Sequence, residues 1–499
     1  MLERVLIANR GEIAIRVIRA CREMGIESVA VYSDADVQSP HTALADRALR
    51  IGPPPASESY LAIDRIVAAA RETRADAVHP GYGFLSENAQ LAEACDAAGI
   101  AFIGPPAAAL ALMGSKVQAR KLARSVGAPV VPGEVPAGRD DAAVADAARR
   151  IGFPVLIKPS EGGGGIGMRA VRGEDTLLES IAQARRAAVS AFGDGTLYVE
   201  RLVDRPRHVE VQVLADRHGG VVHLFERECS TQRRHQKLIE ESPSTAVTPA
   251  LRQRMGDAAV AIARAAGYQN AGTIEFLLEG VGDEASFYFL EMNARLQVEH
   301  PVTEAVTGVD LVRAQIAIAS GEPLPWTQSQ LSQRGHAIEV RVYAEDPLRH
   351  DLPQAGRLLV YREPSLPGIR IDAGVVEGGE VSVHYDPLIA KVIGTAETRD
   401  AARRRVVQAL RQFPILGITT NTALLVALLE HPRFERGDLD TTFLDAERQA
   451  LMRQIDVPAP AEVAAIARAA RLAPSAGRLA GASGAPGNDP WSSLRGVRL

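Results

Sequence analysis

The chain has 499 residues, 46% of them hydrophobic and 23% charged, and a formal net charge of −5. That length exceeds what one compact core fills, so two or three lobes are expected. Mild acidity argues against nucleic acid or an anionic membrane as the main partner, because either attracts a basic face.

Residues 3–8 (ERVLIA) predict a buried strand, and Asn9-Arg10-Gly11 lead into a helix over about 12–24. Strands over 28–32, 76–79 and 100–103 alternate with alanine-rich helical stretches. This βαβ rhythm predicts an open parallel sheet with ligands beyond the carboxyl ends of its strands. His79-Pro80-Gly81-Tyr82-Gly83 falls at such an end, and the absence of GxGxxG disfavours a dinucleotide-binding version. From about 130 to 204 the pattern becomes a small α+β unit: strand 154–158, a glycine loop, helix 175–188 and strand 197–200. A mixed region with strands over 208–214, 221–226, 272–278, 287–292 and 336–343 runs to about 446. Beyond 449, alanine, proline, glycine and serine predict linker. The fold class is α/β followed by α+β.

No apolar run approaches the roughly 18 residues of a membrane span, and residues 1–9 open no signal peptide. Cys21, Cys95 and Cys229 are widely spaced, without a CxxC pattern, and read as reduced thiols of a cytoplasmic protein. The 56 basic residues include five lysines, at 116, 121, 158, 237 and 391. In so arginine-biased a chain, a lysine marks a place where a compact, rotatable ammonium is needed; chance survival on the surface is the competing reading.

Ser160-Glu161-Gly162-Gly163-Gly164-Gly165-Ile166-Gly167-Met168 follows the strand ending at Lys158. Four adjacent glycines add nothing to a core but let backbone N–H groups approach an anion closely; the alternative is a flexible hairpin tip. Glu275 and Glu291 lie on neighbouring strands among apolar residues. A shared divalent cation would compensate both, and oxygen ligands suit magnesium; edge-strand glutamates facing water are the bland alternative. The stretch 291–301 adds Asn293, Arg295, Gln297 and Glu299, a cation beside a carboxylate able to hold a small anion and take its proton. Residues 227–237 add polar and basic groups, although Arg233-Arg234 also fits a solvated face.

IANRGEIAIR (7–16), HPGYGFLSEN (79–88), LMGSK (112–116), the glycine loop, CSTQRRHQK (229–237), EMNARLQVEHPVTE (291–304) and RGHAIEVRVYAED (334–346) together resemble biotin carboxylase, in that family's order. The resemblance implies an ATP-grasp fold: an N-terminal parallel-sheet domain over 1–113 and an ATP-grasp region over 114–204, with a mobile lid at about 130–204. A C-terminal ATP-grasp and biotin carboxylase domain covers 205–446; linker and the start of a missing downstream domain cover 447–499.

Position by position, it implies ATP contacts at Lys116, Lys158, Gly163, Gly164, Gly165, Met168, Glu200, Leu202, His208, Gln232, His235 and Leu277. It further implies magnesium or manganese at Glu275, Glu291 and Asn293, and bicarbonate at Lys237, Arg295, Gln297 and Val298. Glu299 is the implied general base, with Tyr82 and Arg341 near biotin. Arg19 and Glu23 resemble dimer-interface residues, though an i, i+4 surface ion pair is equally open, so a homodimer is expected. The implied reaction carboxylates biotin on a separate carrier through carboxyphosphate, for use by a carboxyltransferase subunit. Another ATP-grasp carboxylate–amine ligase and a non-catalytic scaffold are the alternatives. The lid loop departs from the family at Ile166 and Glu161, with ATP hydrolysis expected to survive. The ending, Pro490-Trp491 to Leu499, reads as a truncated or shortened α-subunit, and the lack of lysine after Lys391 leads to the expectation that biotin is not carried in cis.

Overall fold

The computed structural model describes residues 2–160, 167–234 and 236–457, with Phe192 described by its backbone alone. The expectations placed on 161–166, on His235 and on everything from 458 onward lie outside these residues. No helix of the described residues is long and apolar enough to cross a membrane.

Five strands, β1 (Arg4–Ile7), β2 (Glu27–Ser33), β3 (Arg47–Gly52), β4 (Ala77–His79) and β5 (Ala101–Phe102), form a parallel sheet in the order β3-β2-β1-β4-β5. Val5, Leu6 and Ile7 are fully buried, as a central strand covered on both faces requires. The edge strand β3 goes beyond the sequence expectation, because only its last residues are buried and RALRIG offers no clean alternation. At the end of β4 the chain turns through Gly81 at φ +63, where a Cβ would stand 2.8 Å from the Asn9 amide nitrogen. That amide donates to the carbonyls of Pro80 and Tyr82, both at 2.7 Å, and so ties the turn to the end of β1.

The small unit is a four-stranded sheet of β6 (Gly133–Glu134), β7 (Val155–Pro159), β8 (Arg169–Val171) and β9 (Leu197–Arg201), in the order β6-β9-β7-β8. Helices Asp141–Ile151 and Leu177–Phe192 close its core, the latter four residues longer than the expected end at 188.

The remainder is built on an eight-stranded sheet. Its strands include β10 (Arg207–Ala215), β11 (Val221–Arg233), β12 (Gln236–Ser242), β13 (Asn270–Glu279), β14 (Ser286–Asn293) and β15 (His336–Tyr343). It runs β14-β13-β10-β11-β12-β15 and ends in strands Leu388–Ala396 and Ile369–Ala373. The sequence places β11 only to 226 and misses β12 and the last two strands. For β11 the reason is polarity: Arg227, Glu228, Ser230, Thr231, Gln232 and Arg233 are all buried, where periodicity expects apolar residues. They are tolerated because each charge meets a partner. Arg233, open to reading as a solvated face, instead reaches Glu345 at 2.8 Å and Asp351 at 2.9 Å, whereas Arg234 is exposed.

Glu23 lies 3.8 Å from Arg313, and Arg19 is exposed, so Glu23 pairs outside its own helix. All three cysteines are free and buried. The N-terminal helix Gly11–Glu23 is held through Arg16 to helix His300–Thr307, 2.9 Å from Glu304, and to the cap of helix Leu311–Ala319, 2.7 Å from Asp310.

A second lock has a pH signature. Glu241 on β12 accepts from Arg399 at 2.6 and 3.0 Å and faces His336 at 2.8 Å. Burial opposes its ionisation, but Arg399 and His336 prevail and bring its pKa down to about 2, from an ordinary 4.5. A pKa depressed on folding adds stability above about pH 4.5 that is lost as pH falls through 2, here roughly 3 kcal/mol. Glu241→Gln is therefore expected to lower Tm at neutral pH, with the gap from wild type closing as the solution is acidified. Calorimetry across that range checks this.

Candidate active site

One row of charge crosses the face of the large sheet. Glu291 on β14 stands opposite Glu275 on β13, Glu275 opposite Glu210 on β10, and Glu210 opposite Arg227 on β11. Directly opposed residues share a face with Cβ atoms about 5 Å apart, so the register alone brings these side chains together. Arg227 has no exposure; it donates to Glu210, and to Gln212, Thr303 and Thr273 at 2.8–3.1 Å.

Lys237, near the start of β12, closes the row. Its ammonium donates to Glu210 at 2.7 Å and to Glu275 and Glu299 at 2.8 Å. Burial alone would lower its pKa, but the three carboxylates hold it well above the usual lysine value. Glu299 precedes helix His300–Thr307 and is fully buried. Its other oxygen accepts from Arg341 at 2.9 Å, and Arg341 also donates to Glu240 at 2.6 Å. Against the cost of burial, Lys237, Arg341 and Arg227 keep Glu299 ionised, its pKa well below the usual range.

The other end of the row offers carboxylate oxygens to a cation. Glu275 is 5% exposed, whereas Glu291 is part-exposed on the edge strand. Partial burial and then the charge of Glu275 push the Glu291 pKa up, which a divalent cation would relieve. Asn293 donates to Glu275 at 2.8 Å, and His208 Nε2 lies 3.0 Å from the same carboxylate. The paired carboxylates fit magnesium. The loop over 280–285, between β13 and β14, stands away from this pair.

A cavity of about 310 Å³ opens beside Glu291, lined by Lys116, Arg120, Lys158, Tyr198 and Glu291. Lys158 contacts Glu200 at 2.6 Å, and Arg120 holds the second Glu200 oxygen at 3.0 Å. Leu202 donates its backbone N–H to Pro154, and Leu277 stands opposite His208 in the sheet. Gln232 is buried on β11 opposite Lys237, and Met168 is half-buried.

Arg295 reaches Glu87 at 3.0 Å, Asn293 at 3.2 Å and Gln297 at 3.2 Å. Gln297 is 3% exposed, and its Nε2 is buried with no acceptor. Such an orphan donor costs free energy until a ligand oxygen meets it. The Val298 carbonyl accepts from Lys391 at 2.7 Å, and Lys391 also lies 3.1 Å from Glu12. Tyr82 hydrogen-bonds Glu12 through its hydroxyl.

The structure thus brings Lys237, Glu275, Glu299, Arg341, Arg295, Gln297 and Asn293 into one continuous network, with Lys116, Lys158 and Glu200 around the adjoining cavity. Sequence reasoning assigns no role to Glu210, Glu240, Glu87, Arg120 and Lys391, and takes Arg227 only as one of the polar and basic groups of 227–237. Lys391 carries a usable signal, its rarity as a lysine; Glu87 sits inside one of the motifs quoted above. The others look like ordinary strand and helix charges.

Three family models match the sequence. They are biotin carboxylase, N-terminal domain, over residues 1–110; carbamoyl-phosphate synthase L chain, ATP binding domain, over 115–327; and biotin carboxylase C-terminal domain, over 339–446. The chain is 50% identical over 444 residues to biotin carboxylase of Halalkalibacterium halodurans, covering 89% of this chain and 97% of that protein. It is 47% identical over 478 residues to the propionyl-CoA carboxylase alpha chain of Ruegeria pomeroyi, covering 92% and 70%. Among solved structures it resembles the biotin carboxylase domain dimer of Hydrogenobacter thermophilus 2-oxoglutarate carboxylase, in complex with MgADP, ADP and bicarbonate. That likeness has a TM-score of 0.86 and 42% identity, covering 92% of this chain and all of that one.

Proposed function

We propose, from the premise that this chain belongs to the biotin carboxylase family, that it uses ATP and bicarbonate to carboxylate biotin presented by a separate carrier. The observation that carries this reading is Glu299: a buried carboxylate kept ionised between Lys237 and Arg341, in one network with Arg295 and the orphan donor of Gln297.

In this reading Arg295, Gln297 Nε2, the Val298 backbone and Lys237 hold bicarbonate, and Glu299 takes its proton. Lys116 and Lys158 hold the phosphates of ATP, and the family resemblance assigns Gly163, Gly164, Gly165 and Met168 to the same ligand. Glu200, Leu202 and Leu277 flank the base, while His208, Gln232 and His235 face the ribose. Magnesium or manganese, held by Glu275 and Glu291 with Asn293 adjoining, would neutralise charge on the nucleotide phosphates. Bicarbonate oxygen attacks the γ-phosphate to give carboxyphosphate and ADP. Carboxyphosphate releases CO2, the phosphate takes the ureido proton of biotin, and Arg341 stabilises the oxygen on which negative charge develops. Tyr82 lines the biotin side. Glu87 orients Arg295 from the loop after β4.

The domains divide at 113, 204 and 446, with 130–204 as a lid that excludes water from the labile intermediate. The chain acts in the cytoplasm as a homodimer, handing carboxybiotin on its carrier to a carboxyltransferase subunit. Phosphate release from ATP plus bicarbonate is expected to rise severalfold when free biotin is added. A rate indifferent to biotin would favour an ATP-grasp ligase for another acceptor.

A further inference from the structure

Behind Arg341 lie two carboxyl groups to which the reaction described above gives no role. Glu240 on β12 and Glu339 on β15 are directly opposed in register, and neither has any solvent exposure. Glu240 Oε1 accepts from Arg341. Glu240 Oε2 and both oxygens of Glu339 are buried without any hydrogen-bond donor. Side chains directly opposed on one sheet face have Cβ atoms about 5 Å apart, so the two carboxyls are within hydrogen-bonding reach.

Three donor-less oxygens on two adjacent, fully ionised carboxylates would be an expensive arrangement in a dry interior. A single proton removes most of the cost. It turns one group into an acid whose O–H donates to the other, which satisfies two of the three oxygens and leaves one negative charge on the pair. We propose that Glu240 and Glu339 share one proton and serve as a positioning pair for Arg341. That proton limits the negative charge packed behind the guanidinium, leaving Arg341 able to meet a developing oxyanion on its open side.

The surroundings support this. Lys237 lies on β12, Arg341 on the strand of Glu339, and Lys391 on the neighbouring strand. Glu299 and His300 approach from the head of helix His300–Thr307, and Cys229 from β11. Arg341 and Lys391 are already engaged by Glu299, Val298 and Glu12, and no donor from any of these groups reaches Glu339. Burial, opposed by Arg341 and reinforced by Glu299, raises the Glu240 pKa to about 7. Burial, opposed by Lys391 and reinforced by Glu240, raises that of Glu339 well above the carboxylate range.

The consequence is directional. Loss of the shared proton at alkaline pH places a second negative charge behind Arg341. That charge opposes the step in which negative charge develops on the ureido oxygen, while ATP cleavage without biotin is spared. This kinetic consequence rests on the biotin carboxylase reading; the shared proton itself does not.

The deciding measurement is the infrared difference between wild type and Glu339→Gln without substrates at neutral pH. The expected result is loss of a protonated carboxyl C=O band. Loss of ionised-carboxylate bands in its place would overturn the proposal. Should the variant fold poorly, titrating the wild-type band from neutral to alkaline pH decides the same point: a band that fades supports the shared proton, and no such band at neutral pH overturns it. In the pH profile of biotin-dependent turnover, Glu339→Gln is expected to lose the alkaline decline, because its amide cannot ionise. An unchanged decline in a folded, active variant would remove the positioning role. The infrared reading needs no activity, so an inactive chain would refute the biotin reading and leave this one testable.

Discussion

Glu299→Gln is expected to lower bicarbonate-dependent ATP cleavage by about 10²–10⁴-fold, the usual range for removing a positioned general base. The amide is nearly the same size and still offers one acceptor oxygen, but it cannot take a proton. Its NH2 group would also face either Lys237 or Arg341, both donors, so one of these loses its acceptor. The fold should tolerate this, because Lys237 keeps Glu210 and Glu275 and Arg341 keeps Glu240. Nucleotide binding should be nearly unchanged, since Lys116 and Lys158 line a neighbouring cavity, with Glu200 paired to Lys158. Steady-state phosphate release and ADP affinity, measured on the same preparation, test the prediction together. Wild-type turnover in the variant would place the base elsewhere.

Lys237→Met is expected to have a second large effect, on stability as well as rate. One ammonium serves three carboxylates, and removing it leaves Glu210, Glu275 and Glu299 with a weaker set of partners. Breaking a buried ion pair from one side typically costs about 3–5 kcal/mol. Removing a charge aimed at a reacting anion lowers kcat by about 10²–10³. The pH sign follows from the same electrostatics. Without Lys237, Glu275 and Glu299 lose the largest charge that holds their pKa values down against burial, so keeping them ionised costs the variant more stability as pH rises. The Tm deficit relative to wild type should therefore shrink on acidification from about pH 8 to about pH 5. Lys237→Arg should not restore activity, because a planar guanidinium cannot point its donors at three converging carboxylates. A constant Tm deficit across that range would show that Lys237 does not hold these groups ionised.

Much of this site is legible from residue types alone. Glu275, Glu291, Arg295, Gln297 and Glu299 stand out because carboxylates, a cation and an amide crowd two strands and one short segment. Scarce lysines point the same way: Lys116 and Lys158 border one cavity, and Lys237 sits at the centre of the charge network. Lys391, to which the motifs assign no role, is fully buried against Val298 and Glu12. The sign that marks the other three applies to it equally.

The strands at the middle and far edge of the large sheet are harder to find. β12 and the second half of β11 carry charged and polar residues in the interior, which breaks the alternation on which strand prediction depends. Those charges are stable only because of groups far away in the chain: Arg227 with Glu210, Thr273 and Thr303, Glu241 with Arg399, and Glu240 with Arg341.

From the sequence alone come the α/β-then-α+β architecture, the turn at His79–Gly83 and the cluster of Glu275, Glu291, Arg295, Gln297 and Glu299. Each of these depends on local patterning or on residue type. Which charge neutralises which was decided by sheet register. Glu210, Glu240, Glu339 and Arg227 acquire their roles only when separate strands come within about 5 Å, and no neighbour along the chain carries that information.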